Sequence, residues 1–312
     1  MAFNLAEINQ NIKTRPEEFI KECDQKYFDN VRRSAQKIID NSESNIVLLS
    51  GPSGSGKTTT AHNISTQLKA MGHTAHIISL DNYFLDVDPI LTPKDEDGNY
   101  DFESPLCMDI RLLTTHFDDI AKKQTITIPK FDFTKQRRSR TRSTRLEIGE
   151  NDIVIFEGIH ALNPDVCGHG KGKNATKLYI SARSNIAEDG IDIFMGTWIR
   201  ILRRTIRDKK FRNTEPQITF RMWENLRRGE KKYISPYKNT ANIIFDTALP
   251  YEVSVLKSFT NGMFDNIDPE IARYDEAMRL KKALQKFLQL SPALVPNTSL
   301  LREFIGGGNY KL

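Results

Sequence analysis

Gly51-Pro52-Ser53-Gly54-Ser55-Gly56-Lys57-Thr58 is the stretch on which the reading of this 312-residue chain turns. It is a full G-x-x-x-x-G-K-[ST] pattern, which ordinary residue frequencies produce by chance on the order of once per hundred chains of this length. The preceding run NIVLLS (45–50) is apolar and bounded by polar residues, as a buried parallel strand would be. The residues after Lys57 read as a helix that stops near Gly72. Strand, glycine turn and helix in that order are what the motif needs. Glycines let the backbone curl so that N–H groups point inward at phosphate oxygens, and the helix N-terminus adds its positive end. Lys57 then reaches the β- and γ-phosphates, and the Thr58 hydroxyl takes a Mg²⁺ position. Gly51, Ser53, Gly54, Ser55, Gly56, Lys57, Thr58 and Thr59 are the expected nucleotide contacts. The plainer alternative is a glycine turn with a solvated lysine.

Outward from the motif, HTAHIISLD (73–81) and DIVIFEG (152–158) read as further strands, each ending in an acid, with TKLYIS (176–181) and ANIIFDT (241–247) as weaker ones. Helical patterns lie at roughly 108–123, 191–210, 216–232 and 269–290. Strands alternating with helices predict an α/β P-loop fold with a mostly parallel sheet flanked by helices. Residues 16–41 carry Phe19, Ile20, Cys23, Tyr27, Val31, Ala35, Ile38 and Ile39 at helical spacing, with Pro16 in the first turn. The expected organisation is an N-terminal helical extension (1–44), a P-loop domain (45–290) and a surface-hugging or mobile C-terminal tail (291–312). Within the domain, a β-hairpin insert falls at about 125–150 and an arginine-rich lid at about 200–232.

Composition narrows the function classes. Forty-five Lys and Arg against 40 Asp and Glu leave a net charge of +5, too mild for a dedicated nucleic-acid binder. No apolar run is long enough to cross a bilayer, and the first residues show no secretory pattern. Cys23, Cys107 and Cys167 are too few and too scattered for a disulfide framework or an all-cysteine zinc site, which suits a reducing cytoplasm.

Phosphoryl transfer needs a metal against the phosphates and an aligned acceptor, and in open α/β sheets the groups for this sit at the carboxyl ends of strands. Glu157, after four apolar strand residues, has the pattern of a metal-shell carboxylate; Asp81 is assigned as base or orienter for an acceptor hydroxyl. Either could instead cap the helix that follows. Arg200, Arg203, Arg204 and Arg207 fall at i, i+3, i+4 and i+7, one face of a helix, as a lid over a transferring phosphoryl group requires. Residues 135–145 alternate Arg138, Arg140 and Arg142 with hydroxyl residues, suggesting an extended hairpin that contacts substrate or is simply solvated, with Arg140 onward read as solvated.

These residues resemble the uridine kinase and phosphoribulokinase family of P-loop small-molecule kinases, and within it the bacterial uridine-kinase-like nucleoside kinases, often longer chains with an extra N-terminal region. The likeness runs collinearly over roughly residues 45–310. It rests on GPSGSGKTTTA (51–61), ISLDNYF (78–84), TPKDEDGNYDFESP (92–105), IPKFDF (128–133), VIFEGIHALNP (154–164), LRRTIRDKKFRN (202–213), MWENLRRGEKKYISP (222–236) and LLREFIGGG (300–308). The resemblance implies a nucleoside-kinase-like fold with ATP or GTP as donor and Mg²⁺ as metal. It gives Lys57 and Thr58 the P-loop roles, Thr58 and Glu157 the metal, and Asp81 the 5′-hydroxyl proton. It matches Arg204, Arg207 and Arg212 to lid or substrate arginines, Asp101 to the ribose hydroxyls and Phe131 to an aromatic near the base; Arg204 and Arg207 are expected in catalysis, and Tyr83, Asp101, Phe131, Gln136, Arg138 and Arg212 at the substrate.

Three positions depart from the family pattern: Gln136 replaces its base-reading histidine, Arg212-Asn213-Thr214 its R-G-R, and Asn242 the aspartate of its P-T-K-x-x-A-D. They bear on the identity of the base more than on phosphoryl chemistry. His160 would face the site if it follows Glu157 off the strand. The expectation is a cytoplasmic, Mg²⁺- and ATP-dependent kinase of a small-molecule ribonucleoside, uridine or cytidine first, with no nucleic-acid or membrane partner and a homo-oligomer left open. A kinase of another small alcohol, such as a sugar phosphate or pantothenate, and a nucleotide-binding regulatory module remain the alternatives.

Overall fold

The computed structural model describes residues 2–96 and 98–310. Met1, Asp97, Lys311 and Leu312, which fall in the expected N-terminal extension, the 92–105 match and the C-terminal tail, lie outside the described residues. Ahead of the glycine motif come β1 (Ala2–Asn4), α1 (Leu5–Thr14), α2 (Pro16–Asp40) and β2 (Ile46–Ser50). After it follow α3 (Lys57–Ala70), β3 (Thr74–Ser79), α4 (Ile110–Ala121), β4 (Ile126–Asp132), β5 (Arg137–Leu146), β6 (Asp152–Glu157), α5 (Pro164–Cys167), β7 (Thr176–Ser181), β8 (Asn185–Glu188) and β9 (Ile191–Phe194). The chain continues through α6 (Gly196–Arg212), α7 (Pro216–Gly229), β10 (Ile243–Asp246), α8 (Glu252–Leu256), α9 (Tyr274–Leu284) and α10 (Arg302–Ile305).

Five strands form a parallel sheet in the order β10-β7-β2-β6-β3. Successive side chains of a strand point to opposite faces, and here both faces are covered. Val47, Leu49, Ile155, Leu178 and Ile180 pack into one core with α2, α3 and α6. Ile46, Leu48, Val154, Phe156 and Tyr179 pack into the other with α4. Double-sided burial explains why β2 and β6 read as unbroken apolar runs rather than alternating ones. Helix α2 follows its apolar spacing into the first core, and Tyr27 is hydrogen-bonded to Thr60 of α3 at 3.0 Å. The register Ser79↔Glu157 and Leu49↔Glu157 brings the carboxyl ends of β2, β6 and β3 level with one another. The glycine motif, Asp81 and Glu157 therefore leave the sheet on one edge.

Three sequence expectations change. The helix expected from residue 191 starts only at Gly196, because Asp189 and Gly190 both adopt positive φ (51° and 80°). Two such residues in succession make the two-residue hairpin turn that joins β8 to β9. The helix over 216–232 closes at Gly229 and widens into a π-turn over Glu230–Ile234. The C-terminal segment is no loose tail: Leu300, Leu301, Phe304 and Ile305 are buried as one face of a short helical turn. No described helix is long and apolar enough to cross a membrane.

Candidate active site

The motif residues form a turn braced from behind by α6. Gly54 (φ +75°) and Gly56 (φ +84°) take left-handed conformations that favour glycine. A Cβ on Gly54 would meet the Arg200 carbonyl at 2.6 Å. Arg203 donates to the Gly54 carbonyl at 3.2 Å, Thr247 to the Ser55 carbonyl at 2.7 Å, and Arg204 Nη1 to Ser53 Oγ at 2.6 Å. These contacts occupy the Gly54 and Ser55 carbonyls, while the Pro52 carbonyl accepts the Ser55 N–H at 3.2 Å within the loop. Gly56 caps α3 without a side-chain acceptor, so the donors of its first turn depend on other partners. Buried Ser55 Oγ has no hydrogen-bond partner among the described residues. These features fit a phosphate chain. Gly51 instead packs against the Ile180 carbonyl, and Thr59 is buried under the loop.

Lys57 Nζ is held at 3.3 Å by the Pro52 carbonyl. Burial lowers its pKa, while Glu157, Glu303 and Asp81 oppose that in this order. Glu157 is buried at the end of β6, and desolvation pushes it up to about 7 against the pull of Lys57. Asp81 keeps accessible surface on the cleft but is walled in by protein; this raises its pKa, with Lys57, Arg212 and Arg207 opposing. No group of three or more His, Cys, Asp or Glu side chains among the described residues could hold a metal ion. Thr58 and Glu157 nonetheless fit Mg²⁺, which keeps waters and uses one or two carboxylates together with substrate phosphates.

These groups line one end of a cleft of about 820 Å³. The other end is aromatic. Phe84 lies 5.7 Å from Phe131 and 6.3 Å from Phe133, and Phe131 5.0 Å from Phe133, between ring centres. Gln136, at φ +49° in the β4–β5 turn, lines the same end, as do Leu106 and Arg138.

Several expected site residues sit elsewhere. Tyr83 is fully buried and its hydroxyl is hydrogen-bonded to His116 Nδ1 at 2.7 Å, while Phe84 takes the cleft wall. The cause is the 3-10 turn Leu80–Tyr83: at three residues per turn, Leu80 and Tyr83 face inward and Asp81 and Phe84 outward. Asp101 accepts a hydrogen bond from Tyr233 at 2.7 Å; Glu103, two residues on, lines the cleft instead. Burial pushes Glu103 up to about 7 against Arg204. Arg138 does line the cleft, but its guanidinium is engaged by the carbonyls of Phe84 (2.9 Å) and Tyr83 (2.9 Å) and by Asp109 (2.8 Å), fastening the hairpin to the turn after β3 and to the N-cap of α4. His160 is buried beneath the cleft and pushed down to about 4, which leaves its ring neutral.

The expected arginine stripe divides in two. Arg200 and Arg203 are buried and paired with Glu230 and Glu252, each at 2.7 Å, with Arg200 and Glu230 still touching the cleft wall. Arg204, Arg207 and Arg212 line the cleft and share Asp208, a residue the charge pattern did not single out. Glu303 was also missed: it lines the cleft and accepts the Thr59 N–H at 3.1 Å. LLREFIGGG was the available signal, but nothing in it tells that its acid reaches the first turn of α3.

Residues 46–254 match the phosphoribulokinase / uridine kinase family. This chain is 28% identical over 231 residues to a protein named uridine kinase from Halobacterium salinarum, covering 73% of this chain and 92% of that one. It is 27% identical over 200 residues to a protein named uridine kinase from Staphylococcus haemolyticus, covering 64% of this chain and 86% of that one. Among solved structures, a possible uridine kinase from Bacillus stearothermophilus is similar at TM-score 0.45 and 16% identity, over 70% of this chain and 98% of that one.

Proposed function

The chain belongs to the phosphoribulokinase / uridine kinase family of P-loop kinases, and on that premise we propose that it transfers the γ-phosphoryl group of ATP to the 5′-hydroxyl of a ribonucleoside in the cytoplasm, uridine or cytidine first. The observation that carries the acceptor class is the division of one cleft. Lys57, Asp81, Glu157 and three arginines hold one end, and a phenylalanine cluster with Gln136 the other. Aromatic faces suit a planar base, and an amide offers one donor group and one acceptor to a pyrimidine edge. Glu103, in the same cleft, offers a carboxylate to sugar hydroxyls, the role the family resemblance implies for Asp101.

In this reading the N–H groups of the loop and Lys57 bind the phosphate chain. Mg²⁺, held through Thr58 and Glu157, would neutralise charge on the β- and γ-oxygens. Asp81 accepts a hydrogen bond from the acceptor hydroxyl, aligns it in line with the γ-phosphorus and takes its proton as the new P–O bond forms and the bond from the γ-phosphorus to the β,γ-bridging oxygen breaks, releasing ADP. Arg204, Arg207 and Arg212 meet the charge spread over the transferring group and help exclude water.

A second reading, an acceptor that already carries an anionic group, is favoured by Ser139 and Arg140 on the wall beside Gln136. Steady-state transfer from ATP and Mg²⁺ to uridine, cytidine, deoxynucleosides, pantothenate and sugar phosphates separates the two. Saturable transfer to uridine or cytidine is expected. Transfer confined to a phosphorylated acceptor would move the substrate, and none at all with ATP still bound would favour a regulatory module.

A further inference from the structure

Among the described residues, Arg203 is paired with Glu252, and Arg200 and Arg227 share Glu230 at the cleft wall. At Asp208 the ratio is higher. Asp208 Oδ1 accepts from Arg207 Nε at 2.9 Å, lies 2.8 Å from Arg207 Nη2 and 3.5 Å from Arg212 Nη1, while Oδ2 faces Arg204 Nε at 3.2 Å. Three guanidiniums share this one carboxylate at ion-pair distance, while Glu103 acts on Arg204, and Asp81 and Glu303 on Arg212, from further off. Asp208 is itself almost wholly buried, its side chain 5% exposed. Arginine side chains are long and lose much rotamer freedom when fixed, and like charges this close repel. A shared, buried carboxylate offsets both.

We propose that Asp208 is the positioning residue of the cleft's arginine cluster: it holds Arg207 by a hydrogen bond and Arg204 and Arg212 by charge, and thereby sets where the three guanidiniums stand against the phosphates. Through Arg204, whose Nη1 also reaches Ser53 Oγ, it ties the cluster to the phosphate-binding loop. The inference rests on the kinase reading above, in which these arginines meet the transferring group. A purely structural part is already played by the main chain at this helix end: the Asp208 carbonyl accepts the Thr214 N–H at 3.0 Å beyond Asn213 in the left-handed region. That contact survives replacement of the side chain.

Asp208→Asn keeps the shape and removes the charge. Misplacing transition-state donors while adding net positive charge should lower the rate without weakening ground-state binding. The expected result is a kcat lowered about 10- to 100-fold, with the Kd of a non-hydrolysable ATP analogue and Mg²⁺ unchanged or several-fold tighter by calorimetry. Asp208→Glu, which keeps the charge but shifts it by one methylene, should retain wild-type affinity and still lose rate. The loss caused by Arg204→Ala should be smaller in the Asp208→Asn background than alone, since both act on one unit. A kcat within about twofold of wild type, analogue affinity falling together with kcat, or fully multiplicative losses would each overturn the assignment. Failure of the acceptor reading shows separately, as a wild-type protein without ribonucleoside kinase activity. In that case a weaker analogue Kd for Asp208→Asn overturns the positioning role, and an equal or tighter one supports it.

Discussion

Glutamine at position 157 preserves the shape of the side chain at the end of β6 and removes its charge, and stability and metal use should respond in opposite directions. Burial pushes Glu157 from its ordinary 4.5 up to about 7 even though Lys57 pulls it down. At about 1.4 kcal/mol per pH unit, holding this carboxylate ionised costs the folded protein about 3 kcal/mol. The pH window follows from linkage. Below about pH 4.5 the group is protonated in both states and costs nothing. Between about 4.5 and 7 the native protein keeps a proton that the unfolded chain has released, so stability falls as pH rises, and above 7 the full cost applies. Glu157→Gln never incurs it. The variant does not strand Lys57, because Glu303 and Asp81 remain in its field. Without nucleotide and with a chelator present, the variant should therefore melt roughly 5 °C above wild type at pH 8, the two converging towards about pH 4.5. In the kinase assay the same variant should need more Mg²⁺ for half-maximal rate. A variant less stable than wild type at pH 8, or a gap in melting temperature that does not change with pH, would refute the electrostatic account. An unchanged Mg²⁺ requirement would remove Glu157 from the metal.

Asp81→Asn should retain ATP binding by calorimetry and lose about 10²- to 10⁴-fold in kcat, the usual worth of a general base; wild-type turnover would remove that role. Phe84→Ala should raise the acceptor KM with little change in melting temperature. Tyr83→Phe, which removes a hydroxyl buried against His116, should lower stability by about 1 kcal/mol and leave KM alone. The reverse pattern would restore Tyr83 to the cleft. Glu303→Gln removes a charge from the Thr59 N–H, a donor that a nucleotide phosphate would also claim, so ATP-analogue binding should tighten; weaker binding would make Glu303 a support of the donor site.

What could be read in the sequence depended on how far each structural choice reaches. The glycine motif is contiguous and its chemistry is mostly main chain, so strand, turn and helix together announced the donor end of the cleft. Unbroken apolar runs marked β2 and β6 because both faces of the sheet are covered, and with them the position of Glu157. The arginine stripe was visible as a helix face. Its division was not, because Glu230 and Glu252, which hold Arg200 and Arg203 in the interior, lie in distant segments.

The aromatic part of the cleft was harder for a different reason: neighbouring residues of equal chemistry compete for one position, and a turn of a few residues decides between them. Tyr83 and Phe84 are both aromatic, and Asp101 and Glu103 both acidic. A 3-10 turn beginning at Leu80 puts Phe84 in the cleft, and the Tyr233 hydroxyl holds Asp101 while Glu103 takes the wall. Gly229 belongs to the same arrangement. A Cβ there would stand 2.5 Å from the Glu103 Cβ, so the absence of a side chain at the end of α7 lets the 101–104 segment approach closely enough to present its second acid. The acid that lines the cleft is thus packed against a glycine more than a hundred residues downstream, a dependence with no local trace in the sequence around either acid.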